Sequence, residues 1–140
     1  MKKKHDEQTE DWKSKYLRAL ADYQNLEKRT QAEKQEIRKY AAEVVLMRFI
    51  PALDTLTKVT EHVKDAGLEL ALKEIYAALF EMGVHKIDVV GKEFNPHEME
   101  CIEVVAGKDN IVAEELLPGY RLHDKIVRVA QVKVGKGGTL

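Results

Sequence analysis

Along the first third of the chain, one set of positions recurs at spacings that alternate between four and three. They are Trp12, Tyr16, Ala19, Tyr23, Leu26, Thr30, Glu33, Ile37, Tyr40 and Val44, and neither Pro nor Gly interrupts them. Most residues between them are Lys, Arg, Glu, Gln and Asp, so the pattern predicts a helix with a narrow apolar seam. Leu17 and Leu20 broaden the stripe near its start. The expected helix covers residues 11–48, with a length of roughly 55 Å at 1.5 Å per residue. A seam of this kind needs a second helix against it, and the expected partner is another copy of the chain. Thr30 and Glu33 put polar groups into the seam, which weakens a coiled coil but helps fix its register. Residues 1–10 are polar and are expected to be flexible.

Phe49, Ile50, Leu53, Leu56, Val59 and Val63 continue a helical apolar pattern across Pro51. Pro either breaks a helix or sits in its first turn, so Pro51 is expected to mark a junction. After the turn signal Asp65-Ala66-Gly67 comes a third helical stretch with a broad apolar face: Leu68, Leu70, Leu72, Ile75, Tyr76, Leu79, Phe80 and Met82. Gly83 is placed to stop it. Residues 49–83 therefore read as a helical hairpin that two chains combine into a four-helix bundle.

From Val84 onward the period changes to two. Candidate strands are 84–89, 100–105, 111–117 and 126–134, with further pairing near 120–122. Gly91, Asn95-Pro96, Gly107, Asp109-Asn110 and Pro118-Gly119 punctuate them. The fold class is thus α+β: a long dimerising helix, a short-helix pair forming a dimeric four-helix bundle, and a compact β domain over residues 84–135. Residues 136–140 are expected to be a flexible tail.

Composition narrows the function classes. The 140 residues carry 23 Lys and Arg against 24 Asp and Glu, which gives no general reason to expect nucleic acid or anionic lipid as a partner. The basic start of the chain is not followed by an apolar signal core, and no stretch approaches the ~20 apolar residues of a membrane span. The expected location is the cytoplasm. Cys101 is the single cysteine. In an alternating segment it reads as a small buried thiol.

Catalytic groups do not assemble in the sequence. Gly135, Gly137 and Gly138 lack the Lys-Ser/Thr of a phosphate loop. A zinc site from His97, Cys101 and His123 would need all three to converge within about 2 Å of the ion. His97 reads more simply as part of the turn after Asn95-Pro96, and His123-Asp124 as a tight turn. Arg121, Lys125, Arg128 and Lys133 on the β module read either as a solvated face or as a patch for an acidic protein surface.

Three blocks carry a family resemblance: RALADYQNLEKRTQAE at 18–33; FIPALDTL at 49–56 with GLELAL at 67–72; and FNPHEM at 94–99 with PGYRLHDKIVRVAQVKV at 118–134. In them the chain resembles the GrpE family, the nucleotide-exchange co-chaperones of DnaK-type chaperones. Within the last block Gly119, Tyr120, Asp124, Arg128, Ala130, Val132 and Val134 follow the family order. Cys101 stands where the family pattern usually has alanine, and Lys125 where some members have arginine. The N-terminal arm is short beside that of many members, which implies weaker or absent arm functions.

The resemblance implies a homodimer that binds the nucleotide-binding domain of a DnaK-type chaperone, opens its cleft and accelerates ADP release so that ATP rebinds. It implies no enzyme activity, no cofactor or metal, and no direct binding of nucleotide, nucleic acid or membrane. Partner contact is carried over to Phe94, Pro96, Lys125 and Val134, with accessory contacts at Arg18, Lys28, Glu61 and His62. Dimer contact falls on Tyr16, Tyr23, Leu26, Leu72, Ile75 and Leu79. Gly67 matches a family glycine expected to permit a tight reversal. The alternative from the residues alone is a structural coiled-coil scaffold, which leaves the 94–99 turn without a role.

Overall fold

The first helix forms from residues that favour helix on their own account. In the computed structural model, which describes residues 2–138, α1 runs Lys2–Tyr40. It includes the segment before Asp11 that was expected to be flexible; Lys, Glu and Gln there are good helix formers, with no Gly or Pro among them. Its described side chains are exposed, apart from the half-covered Thr30 and Tyr40. Lys15 Nζ lies 2.7 Å from Asp11 Oδ2, and Arg29 Nε 3.5 Å from Glu33 Oε1, both at i,i+4. Arg38 and Lys39 in the last turn complement the helix dipole.

The chain divides at Ala41, and residues from Ala42 onward make a second compact unit. The helix expected to reach Arg48 therefore ends at Tyr40, and Val44 belongs to α2, Glu43–Val63. No breaker residue marks this point. Ala42 keeps right-handed helical dihedrals, and the Leu46 amide donates to its carbonyl at 2.9 Å. Leu46, Ile50 and Leu53, spaced four and three apart, are the inward face of α2. Pro51 sits inside this helix on its exposed side and is not a junction. It has no N–H to bond the preceding turn, but α2 continues through it.

At the hairpin, Lys64 takes the left-handed conformation (φ 51°) and its amide donates to Thr60 O at 3.0 Å. Asp65 then caps α3, Ala66–Glu81, accepting from the amides of Gly67 at 2.9 Å and Leu68 at 3.0 Å. The reversal thus falls on Lys64, where Gly67 had been expected to make it. Gly67 lies in the first turn of α3, and a Cβ there would stand 3.0 Å from the capping carboxylate. Its missing side chain makes room for the cap.

Six strands follow: β1 (Val84–Lys86), β2 (Met99–Ala106), β3 (Val112–Leu117), β4 (Tyr120–Leu122), β5 (Lys125–Arg128) and β6 (Ala130–Lys136). They make two three-stranded sheets, an antiparallel β1-β4-β5 and a mixed β2-β6-β3 in which β2 and β6 are parallel. The single strand expected over 126–134 is therefore two strands in different sheets, separated at Val129. The apolar positions change parity at the break, from Val127 and Val129 to the buried Ala130, Val132 and Val134, while Ile126, Val127, Arg128 and Val129 are all half-buried. Gly119 enables the crossing, since a Cβ there would meet the Ala130 amide at 2.6 Å.

The β core is Ile87, Val89, Met99, Val112, Ala130, Val132 and Val134, with Phe94 and Ile126 packed against it. Cys101 is exposed, against the expectation of a buried thiol. It lies on β2, a sheet edge whose register shifts just after it, and only Met99 at the strand's start reaches the core. Of the expected tail, Lys136 is still in β6, while Thr139 and Leu140 lie outside the described residues.

Candidate functional site

The turn at Asn95 is built by one side chain and one carbonyl. Asn95 Oδ1 accepts from the His97 amide at 3.0 Å, and its carbonyl accepts from the amides of Glu98 and Met99 at 3.1 and 2.9 Å. This is the local turn that Asn favours, and it leaves Pro96 exposed at the tip. Phe94 is tied down from the other side, its amide donating to Asn110 O at 2.9 Å. The half-buried Phe94 ring packs on the β core and also lines an open groove of about 560 Å³ with Cys101, Val104, Asp109, Asn110, Val134, Gly135 and Lys136. Ile102 and Val104 on the β2 edge are 51% and 56% exposed, so apolar surface continues beyond the groove.

Phe94 and Val134 thus come together, although Val134 is itself a core residue and shows little surface. Lys125 does not join them. It starts β5 in the other sheet, and its Nζ lies 2.7 Å from Glu43 Oε2 at the start of α2. Glu61 and His62 are exposed in the last turn of α2. Arg18 and Lys28 are exposed on α1, as are Tyr16, Tyr23 and Leu26. Leu72 and Ile75 are half-buried on α3, and Leu79 is already buried within the protomer.

The four basic residues singled out on the β module do not make an uncompensated patch. Arg121 Nη2 reaches Glu98 Oε1 at 2.7 Å, and Lys133 lies 3.3 Å from Glu103 and 3.2 Å from Glu114. Hydrogen bonds from Lys133 to Glu114, then Glu103, hold its pKa above the ordinary lysine range. Arg128 grips Asp54 of α2 with both arms of its guanidinium and donates through Nε to Pro118 O at 3.0 Å. Each of the four has a carboxylate of the same chain within ion-pair distance.

Beside Arg128 lies a chain of hydroxyls. Tyr120, 1% exposed, has its ring 5.5 Å from the Arg128 guanidinium and its hydroxyl 3.2 Å from that of Tyr76 on α3. Tyr76 is in turn 3.2 Å from Thr57 Oγ1, which donates to Leu53 O at 2.9 Å within α2. Burial, and then the hydrogen bond to Tyr76, push the Tyr120 phenol well above its usual pKa. Sequence reasoning missed this joint. Its one signal was that Asp54 and Arg128, of opposite charge, lie in two of the three blocks that carry the resemblance.

Among the described residues, no group of three or more His, Cys, Asp or Glu side chains could hold a metal ion, and no helix is long and apolar enough to cross a membrane. What the arrangement offers is a shaped surface: an apolar groove beside a turn held by Asn95, and basic side chains on the β module that each have a carboxylate beside them.

A family profile described as GrpE matches residues 2–136. Protein GrpE of Bacillus cereus (strain AH187) is 34% identical over 131 residues, which cover 86% of this chain and 68% of that protein. Protein GrpE of Protochlamydia amoebophila (strain UWE25) is 36% identical over 138 residues, covering 90% of this chain and 65% of its own length. Protein GrpE of Geobacillus stearothermophilus is 34% identical over 134 residues, covering 88% and 61%. The chain spans roughly two thirds of the length of the relatives it matches.

Proposed function

The chain belongs to the GrpE family, and from that membership we propose that it is a nucleotide-exchange co-chaperone acting as a cytoplasmic homodimer on a DnaK-type chaperone. Family members are co-chaperones and not enzymes. The β module binds the chaperone's nucleotide-binding domain in its open form and accelerates ADP release; the nucleotide stays a ligand of the chaperone throughout. An exchange factor of this kind needs no nucleophile and no metal. It needs higher affinity for the open partner than for the closed one, and about 5.5 kcal/mol of such difference converts a 1:99 population to 99:1.

The observation that carries the proposal for the site is the groove in which Phe94 and Val134 meet beside the exposed turn at Pro96. Apolar side chains held on a rigid sheet lose little freedom on binding, which favours a docking surface. Lys125 contributes a charge at the other sheet. Its side chain is 53% exposed while paired to Glu43, so an acidic group of the partner can share or replace that carboxylate. Arg18, Lys28, Glu61 and His62 are accessory contacts, and Tyr16, Tyr23, Leu26, Leu72, Ile75 and Leu79 support dimerisation in this proposal.

Stopped-flow release of a fluorescent ADP analogue from a matched DnaK-type chaperone tests the proposal. The wild-type chain accelerates release; absence of acceleration would sink it and leave the coiled-coil scaffold. Lys125→Gln is the informative variant, because Lys125→Glu would set a carboxylate against Glu43. We expect an intact fold and weakening of chaperone binding on the order of 1–3 kcal/mol. Unchanged release at subsaturating concentration would remove Lys125 from the contact.

A further inference from the structure

We propose that Asp54 and Arg128 are positioning residues, whose ion pair locks the β1-β4-β5 sheet onto α2 and α3 so that helices and β module move as one body. This rests on the exchange-factor proposal and adds the part that turns binding into cleft opening. A rigid binder can discriminate between open and closed forms of a partner, whereas one with a loose joint follows both, and a ligand with equal affinity for two states shifts neither.

The geometry is that of a joint fastened at several points. Strand β5 is four residues long and carries a cation at each end, Lys125 and Arg128. Helix α2 answers with Glu43 and Asp54, eleven residues and therefore about 16 Å apart along its axis. Two fastenings so separated suppress the rotation that either alone would leave. At the Arg128 end the constraint is directional. The guanidinium is held by both oxygens of Asp54 and by the Pro118 carbonyl, and its face lies 5.5 Å from the Tyr120 ring centroid. The hydroxyls of Tyr120, Tyr76 and Thr57 then connect β4 to α3 and α2.

The pair is largely covered, with side-chain exposures of 22% for Arg128 and 12% for Asp54. Burying such a pair gives little net stability over an apolar contact of the same shape. What a bidentate carboxylate–guanidinium contact supplies, and an apolar contact does not, is a defined angle. The Val134–Lys136 side of the groove lies one strand connection beyond this joint, since β5 passes through Val129 directly into β6. The orientation of the groove relative to α2 and α3 is therefore set at Arg128.

The test compares wild type with Asp54→Asn, which keeps size but loses charge, and Arg128→Lys, which keeps charge but loses the planar fork. Residual dipolar couplings of backbone amides, recorded without any partner, should fit one alignment for α2, α3 and both sheets in the wild type. In Asp54→Asn they should need separate alignments for helices and sheets, with the amide spectrum still that of folded sheets. In stopped-flow ADP-analogue release with a matched DnaK-type chaperone, Asp54→Asn should keep its half-saturating concentration within about twofold. Its maximal acceleration should fall about fivefold or more, a split expected when only the conversion step is impaired. Arg128→Lys should lie between the two. A single alignment in both variants, or a loss wholly in half-saturation, overturns the joint. A wild-type chain that fails to accelerate release defeats the exchange-factor proposal instead, and the alignments still decide whether the joint is rigid.

Discussion

Helix α1 and the β module solve the problem of burying apolar surface in opposite ways. In α1 the backbone bonds are internal to the helix and the ion pairs are i,i+4. Its apolar residues stay open, with Trp12, Tyr23 and Ile37 at 68%, 62% and 68% exposure. In the β2-β6-β3 sheet the strands depend on residues farther away in sequence: Met99 sits opposite Ala130, Cys101 opposite Val132, and Val112 opposite Val134. Ala130 and Val132 have no exposed surface at all. The first region carries its structure locally and its stability elsewhere, because isolated helices are marginal without a packed face. The second has one local pairing, the β4-β5 hairpin, and obtains the rest of its structure and its stability when the sheets close over their core.

The largest expected effect that sharpens this contrast is Met99→Ala. It deletes a core side chain that is 4% exposed, and the cost should be about 2–5 kcal/mol. Urea unfolding followed by a β-module signal should show a loss that does not depend on protein concentration. On α1, Leu26→Ala removes a side chain that is 50% exposed in the protomer. If a second chain covers the seam, the loss should be about 1.5–3 kcal/mol per covered leucine, and the helical melting point should fall with dilution. A melting point unaffected by concentration would break the comparison by showing that α1 stands without a partner.

Tyr120 provides a pH-dependent check on the packed region. Burial first, and the Tyr76 hydrogen bond second, raise its folded pKa above the ordinary 10.0. The unfolded chain therefore loses this proton first. The stability is fully present below about pH 10 and is lost as pH rises above it. Tyr120→Phe should flatten that part of the pH–stability curve, measured by urea midpoints at pH 9, 10 and 11, whereas α1 helicity should show no matching step. The smallest effect concerns the hairpin. Asp65→Ala removes the acceptor for two amides at the start of α3 and should cost about 1 kcal/mol, read as a shift in midpoint without loss of sheet signals.

Much of the helical part was legible because its signals are local. The four-three spacing and the long run without Pro or Gly announced α1, and Asp65-Ala66-Gly67 announced the turn before α3. The misplacements were also local. Pro51 looked like a junction, but α2 runs through it, and Gly67 looked like the turn, although Lys64 takes the left-handed conformation. At Pro51 the buried Ile50 and Leu53 on either side keep α2 continuous, and at Gly67 the Asp65 cap starts α3 before the glycine. For the site, the order of the 94–99 and 118–134 blocks was readable, and so was the closeness of Phe94 to a turn. That Phe94 and Val134 would meet in one groove while Lys125 stood on another sheet was not, because the pairing partners of β5 and β6 lie elsewhere in the chain and the one local trace of the change of sheet is the adjacent apolar pair Val129-Ala130.

The sequence by itself determined the class of the chain, the heptad seam, the turn at Asn95-Pro96 and the family blocks, since each is written in spacings of a few residues. Tertiary structure alone decided how the charges are used. Asp54 and Arg128 are 74 positions apart, and Lys125 and Glu43 are 82 apart, so no local pattern distinguishes these side chains from solvated ones. Only when β5 lies against α2 do Lys125 and Arg128 find the carboxylates of Glu43 and Asp54, whereas Arg121 and Lys133 pair within the β module. The physical reason is range: helix and turn preferences act over one or two turns, whereas an ion pair between distant elements exists only after the apolar core has brought them together.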